Sequence, residues 1–126
     1  MSEPTLYVQS WNLVVLKGFL EEKEELVERV LRALVRAERF VRDQPGPAIR
    51  LISRHLQIDE SALAAWWPEI ALRVRLGEEL LLVMEDEARW AMDAQLAPKV
   101  AMPNYLYLVH CEILRRVKPA AVTVVY

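Results

Sequence analysis

A chain of 126 residues has room for one domain or a large part of one, and it is long enough to bury a real core. Acids outnumber bases 18 to 16, a net charge of −2, so the chain carries no electrostatic footprint for nucleic acid or another polyanion. The hydrophobic fraction of 54% exceeds the usual ~45–50%, so the chain has an unusually full core, an oligomer interface or a surface that a missing partner domain covers.

The first predicted element is a strand. Residues 5–16, TLYVQSWNLVVL, are rich in β-branched and aromatic side chains, and Leu13 to Leu16 is a continuous apolar run. That pattern suits a strand covered on both faces at its end. A lone strand leaves its backbone donors and acceptors unmet, so it needs a partner strand.

Phe19–Asp43 follows as a long helix around which the later elements are expected to pack. Val27, Val30, Leu31, Leu34, Ala37 and Val41 recur at three- and four-residue spacing and predict one apolar stripe. Glutamates crowd the first turns and arginines the later ones, which complements the helix dipole. Glu25–Arg29, Glu28–Arg32 and Glu38–Arg42 stand in the favoured i, i+4 order, each worth about 0.2–0.5 kcal/mol. The interleaved acids make the arginine series read as a solvated face. Gln44-Pro45-Gly46-Pro47 ends the helix.

A second helix is predicted in PAIRLISRHLQI, with Pro47 in its first turn and Ala48, Leu51, Ile52 and Leu56 on one face. Asp59 caps a short third helix, ESALAAWWPEI, interrupted at Trp66-Trp67-Pro68. A fourth is expected from Glu69 to Leu96, bent near Gly77, with Leu72, Leu76, Leu80, Val83, Met84, Trp90 and Leu96 pointing nearly one way. A fifth, NYLYLVHCEILRRVK, opens after Pro103 and carries Leu106, Val109, Ile113 and Val117 as its stripe. The chain closes with AAVTVVY, where Val122–Tyr126 favours a strand. Either the two end strands pair with each other, or both join a sheet supplied from elsewhere.

The residues offer little chemistry. Cys111 is the single cysteine, which excludes an intrachain disulfide. Neighbours on a helix diverge by about 100°, so His110, Cys111 and Glu112 cannot converge on one substrate atom. A nucleophilic Cys111 would need the only other histidine, His55, as its base. No HxxxH, HExxH or CxxC spacing occurs, and no phosphate-binding glycine loop, so neither a metal nor a cofactor is expected. Asp86, Trp90 and Asp93 share a helix face that suits a cation, a basic partner or simple solvation. Trp11, Trp66, Trp67 and Trp90 suit core or interface packing better than ligand stacking. Asn12 beside Trp11 is a polar group among apolar ones. No window approaches the ~18 apolar residues of a membrane span. Met1-Ser2-Glu3-Pro4 does not begin a signal peptide, so an exported form is expected to carry its targeting segment outside this chain.

Two stretches in this order, VERVLRALVRAERFVRDQPGPAIRLISRHL and PNYLYLVHCEILRRVKPAAVTVVY, resemble the C-terminal part of periplasmic solute-binding proteins of ABC importers. The group resembled takes nitrate, sulfonates, taurine and thiamine precursors, and the resemblance runs from Trp11 to Tyr126. It implies an α/β, helix-rich fold: part of one lobe of a type II periplasmic-binding-protein-like architecture, about five helices with one strand at each end. It implies a non-catalytic, periplasmic or extracytoplasmic protein that delivers a small, anionic solute to an ABC permease. The first strands of that family's lobe and its entire middle lobe are not in this sequence. Residues 1–126 are therefore expected to be one domain or a C-terminal fragment, and no ligand-binding residue is assigned. A homodimer through the strands or exposed apolar surface is a further expectation. The alternative is a free-standing helical dimerisation or adaptor module without ligand, and a third reading is an enzyme using Cys111 and His55.

Overall fold

The computed structural model describes residues 10–125. Six α-helices run in order: α1 (Lys17–Glu22), α2 (Glu24–Asp43), α3 (Pro45–Leu56), α4 (Glu60–Trp66), α5 (Glu78–Asp93) and α6 (Glu112–Val117). Tight 3-10 turns lie at Trp67–Glu69, Tyr105–Leu108 and Pro119–Ala121. The helix α2 packs against both α3 and α6, α3 packs against α4, and α5 packs against the turn at Tyr105–Leu108.

The expected α/β architecture is not what forms. Among the described residues there is no strand, only an isolated parallel bridge between Leu76 and Val122. Residues 5–9 and Tyr126 of the two expected strands lie outside the described residues. Residues 10–16 enter without regular structure, and the backbone N–H groups of Trp11–Leu16 donate to no described residue. At the other end, Pro119 fixes a turn that leads to the single bridge. The physical reason is supply. Residues of strand type form a strand only beside another, and helices and 3-10 turns make up most of the chain between these two segments.

Helix boundaries also move. Lys23 (φ −131°, ψ 35°) breaks the first helix into α1 and α2. Pro45 occupies the first position of α3, where a missing N–H costs nothing. Gln57 closes α3 in the left-handed region at φ 55°. Around it the Ile58 N–H donates to the Ser53 carbonyl (3.1 Å), while Ser53 Oγ donates to the Ile58 carbonyl (2.6 Å). Ser53 is the buried polar side chain of the core, and this closed pair satisfies it. The fourth expected helix loses its first part: Ala71–Arg75 is not helical, and Gly77 is the N-cap of α5 rather than a bend. The fifth shrinks to a 3-10 turn and α6.

Asp59 caps α4 as expected. Its carboxylate accepts from the Ala62 N–H at 2.8 Å and from the Ser61 hydroxyl. Those bonds, the hydroxyl's first, hold its pKa below the ordinary carboxylate value. Asp59→Ala is expected to lower the Tm by a few degrees without changing the fold, as a lost cap does; thermal denaturation followed by circular dichroism checks this.

The core is thin. Its buried apolar members include Val27 and Val35 of α2, Ala48 of α3 and Leu63 of α4, together with Cys111, Ile113, Leu114, Ala121 and Val124 near the C-terminus. The stripe expected on α2 divides. Val27 is buried and Leu31 and Val41 are half-buried, but Val30, Leu34 and Ala37 are exposed. Val35 lies on the buried side instead, and Leu26, Val30, Ala33 and Ala37 form an apolar outer face. The helix is apolar round more than half its circumference, so one packed side cannot cover it.

Candidate functional site

Three elements that lie far apart in sequence meet at one polar cluster. Glu38 projects from the inner side of α2, Val74 sits in the extended stretch before α5, and Lys118 caps the end of α6. Lys118 Nζ donates to Glu38 Oε1 (2.7 Å), to Glu38 Oε2 (2.8 Å) and to the Val74 carbonyl (3.0 Å). The Val74 N–H donates to Glu38 Oε2 at 2.9 Å. The Glu38 side chain is 15% exposed and that of Lys118 29%, so the pair is largely withdrawn from water. Two residues further on, the Leu76 N–H donates to the Ala121 carbonyl (2.8 Å) and the Thr123 N–H donates to the Leu76 carbonyl (3.0 Å). The stretch before α5 is thereby fastened to α2 and to the C-terminal segment at successive alternate residues. On the exposed side, Arg116 bonds to Glu24 and lies 3.7 Å from Glu28, joining α6 to the first turns of α2.

The electrostatics of this cluster are those of a fastening. Burial raises the Glu38 pKa, but the hydrogen bond from Lys118, the Val74 amide and the charges of Lys118 and Arg42 outweigh it and hold the carboxyl below its ordinary value. An ammonium group has three donor hydrogens, and here three acceptor atoms stand within reach. Donor and acceptor are matched within the cluster.

The charge pattern read from α2 survives in part. Glu28 and Arg32 form the expected pair at 2.7 Å. Arg42 turns to Asp43 instead (2.7 Å), because Glu38 is taken by Lys118. Nothing local in the sequence signals that tie, since its partners stand 80 residues apart.

The other candidates do not assemble. Cys111 is the N-cap of α6 and is 1% exposed. His110 and His55 are both exposed, and no hydrogen bond or ion pair joins either one to Cys111. Cys111 is therefore expected to react with a thiol reagent at least ten times more slowly in the native chain than in the chain unfolded by urea. Timed labelling at neutral pH checks this, and fast native labelling would revive a nucleophilic role. Asp86, Trp90 and Asp93 do share an exposed face of α5. Asp86 accepts from Arg89 (2.7 Å), and Asp93 lies 3.9 Å from Lys99. Among the described residues no group of three or more His, Cys, Asp or Glu side chains is arranged to hold a metal ion. Depressions along Met92–Lys99 and along the outer face of α2 are shallow and open. No helix among the described residues is long and apolar enough to cross a membrane.

What distinguishes the molecule is its surface. Trp11, Val14, Leu16, Trp90, Tyr107 and Val125 are among its exposed large apolar side chains. Comparison with protein-family models, curated proteins and solved structures finds no match for this chain.

Proposed function

We propose that this chain supplies a helical, non-catalytic part of the solute-binding component of an ABC importer for a small, anionic solute of the nitrate, sulfonate or taurine type. The observation that carries the reading is that the two stretches behind the resemblance pack on each other. The arginine-rich helix α2 and the R-R-V-K-P-A-A-V segment meet across the α2–α6 contact, the Lys118–Glu38 pair and the Arg116–Glu24 pair. The exposed large apolar side chains, Trp11, Val14, Leu16, Trp90 and Tyr107 among them, support it as well, because they suit a chain seated against further protein. In this reading the further protein holds most of the solute contacts, the component works outside the cytoplasm, and an ABC permease receives its cargo.

The test is to express the chain together with the reading frame that precedes it and to screen that product by thermal shift. Nitrate, sulfonates, bicarbonate and pyrimidines are the ligands to use. A true ligand at about 100 times its Kd should stabilise the product by about 2.7 kcal/mol. No shift with any of them, or a gene whose frame starts at Met1, sinks the proposal.

A second reading, a helical dimerisation or adaptor module, is favoured by the apolar outer face of α2, where Leu26, Val30, Ala33 and Ala37 are exposed. A frame that starts at Met1, with a solution mass of twice the chain, would support it.

A further inference from the structure

Helix α5 is 16 residues long, and none of its side chains is buried. Its inner side, with Leu80, Leu81, Met84, Ala88, Ala91 and Met92, is no more than half-buried. The element it packs against, the turn at Tyr105–Leu108, belongs to the same excursion of the chain. Every buried apolar side chain among the described residues lies outside 77–108. Polar contacts follow the same division. Among the described residues, the hydrogen bonds and ion pairs of 77–108 stay within 75–108. They join Arg75 to Glu79, Arg89 to Asp86, Lys99 to Asp93 and the Val100 N–H to Met92 Sδ, besides those that close α5 and the turn. Just before this stretch, Val74 and Leu76 each bind the rest of the molecule through both backbone groups. Val74 does so through Glu38 and Lys118, Leu76 through Ala121 and Thr123. Just after it, the chain re-enters the core at Cys111.

We propose that residues 77–108 form a hinged arm that opens as one unit from a body of α2, α3, α4 and α6, with Val74 and Leu76 as a clasp that stays closed. Apolar burial is the main term that holds a helix to its neighbours. An isolated helix of about 12–15 residues is marginal in water. Helix α5 is little longer and has no fully buried side chain, so it gives up little by leaving. The body has much more to lose, because Val27, Val35, Ile113 and Leu114 are buried where α2 meets α6 or within those helices. Opening of the arm therefore costs far less than global unfolding, which is the condition for a separately opening unit. The pivot falls between Leu76 and Glu78. No side-chain cap ties the start of α5 to what precedes it, so a rotation there breaks no cap. The Arg75–Glu79 ion pair spans the pivot, but both side chains are exposed and the pair contributes little. The clasp lies on the body side of the pivot, with its four backbone bonds directed to α2, Lys118 and the C-terminal segment. The arm is a property of this chain's own packing and does not rest on the solute-binding reading.

The test is native-state hydrogen exchange on the whole chain at neutral pH, in water and in urea below the unfolding transition. The amides of residues 82–93 are expected to exchange through one shared opening, about a hundredfold or more faster than those of residues 31–41 in α2. The amides of Val74 and Leu76 should stay slow with the body. Leu82→Pro breaks α5 from within, at an exposed position. It should leave exchange in α2 and α3 within about threefold of the parent and keep Val74 and Leu76 protected. The proposal is overturned if α5 in the parent is as protected as α2, or if it exchanges as fast as in the urea-unfolded chain. It is overturned as well if Leu82→Pro speeds exchange in α2 by about tenfold or more, since arm and body would then unfold as one. Loss of protection at Val74 and Leu76 together with α5 also overturns it, because the clasp would then open with the arm.

Discussion

Ile113→Ala is expected to destabilise the chain by about 2–5 kcal/mol, the range for truncating a fully buried aliphatic side chain. Ile113 is 1% exposed, in the first turn of α6, next to buried Leu114 and close in sequence to buried Cys111. Its helix packs against α2, so a cavity there loosens the contact that joins the two ends of the described chain. Small domains have a net stability of about 5–15 kcal/mol. A chain with so few fully buried apolar side chains among its described residues belongs near the lower end of that range, so one such cavity removes a large share of it. Urea denaturation followed by circular dichroism measures the loss. Leu82→Ala, at an exposed position of α5, is the control and should shift stability by no more than about 0.5 kcal/mol. The urea slope should also be shallow for 126 residues, because it scales with the surface that unfolding exposes. A cost below about 1 kcal/mol at Ile113 would mean that the α2–α6 contact does not hold the molecule together.

The sequence was most legible where structure is set locally. The cap at Asp59 and the break before Pro45 follow from neighbours a few residues apart, and each forms; of the expected Phe19–Asp43 helix, Glu24–Asp43 forms as one piece and Lys23 cuts off the start. The Glu28–Arg32 pair is of the same kind. Legibility fails where an element depends on something distant. Residues 10–16 and 122–125 have the composition of strands, but composition reports how well a residue fits a pleated surface and not whether such a surface is present. Among the described residues, only Leu76 and Val122 form a bridge. The α2 stripe misled for a related reason. Val27, Val30, Leu31 and Leu34 are equally apolar, and periodicity cannot tell which of them the rest of the chain will cover. Packing against α3 and α6 chose the side that carries Val27 and Val35. Glu38 is the clearest case: its local partner was Arg42, and its actual partner is Lys118. The half-buried Lys118 ammonium gains more from a carboxylate that also accepts the Val74 N–H than an exposed arginine would. The candidates that the sequence offered, Cys111 with His55 and the Asp86, Trp90 and Asp93 face, depend on distant contacts too: Cys111 is buried at the start of α6, while both histidines and the α5 face are exposed.

Lys118→Met is expected to cost about 1–3 kcal/mol at neutral pH, less than the ~3–5 kcal/mol of a fully buried pair because both side chains keep some contact with water. The substitution leaves the Glu38 carboxylate withdrawn from solvent with only the Val74 N–H to meet it, and it also removes the donor to the Val74 carbonyl. Glu38→Gln should cost less, since a Gln side chain still accepts from Val74 and from the ammonium. The pH dependence separates this electrostatic role from plain packing. The folded-state pKa of Glu38 is held below its ordinary value of 4.5, so the chain gains stability from its ionised form. That contribution is fully present above the unfolded-state value and is lost as pH falls through the lower, folded-state value. Between neutrality and about pH 5 the parent chain should therefore keep its advantage over Glu38→Gln, and the two should converge as the solution is acidified further. The double variant Glu38→Gln with Lys118→Met should cost less than the two single changes together, because the stranded carboxylate no longer exists. Urea midpoints for the four chains, taken at a series of pH values, give all of these quantities. Additive costs, or a gap between the parent and Glu38→Gln that stays constant down to about pH 3, would show that Glu38 and Lys118 act only as packing and not as a charge pair.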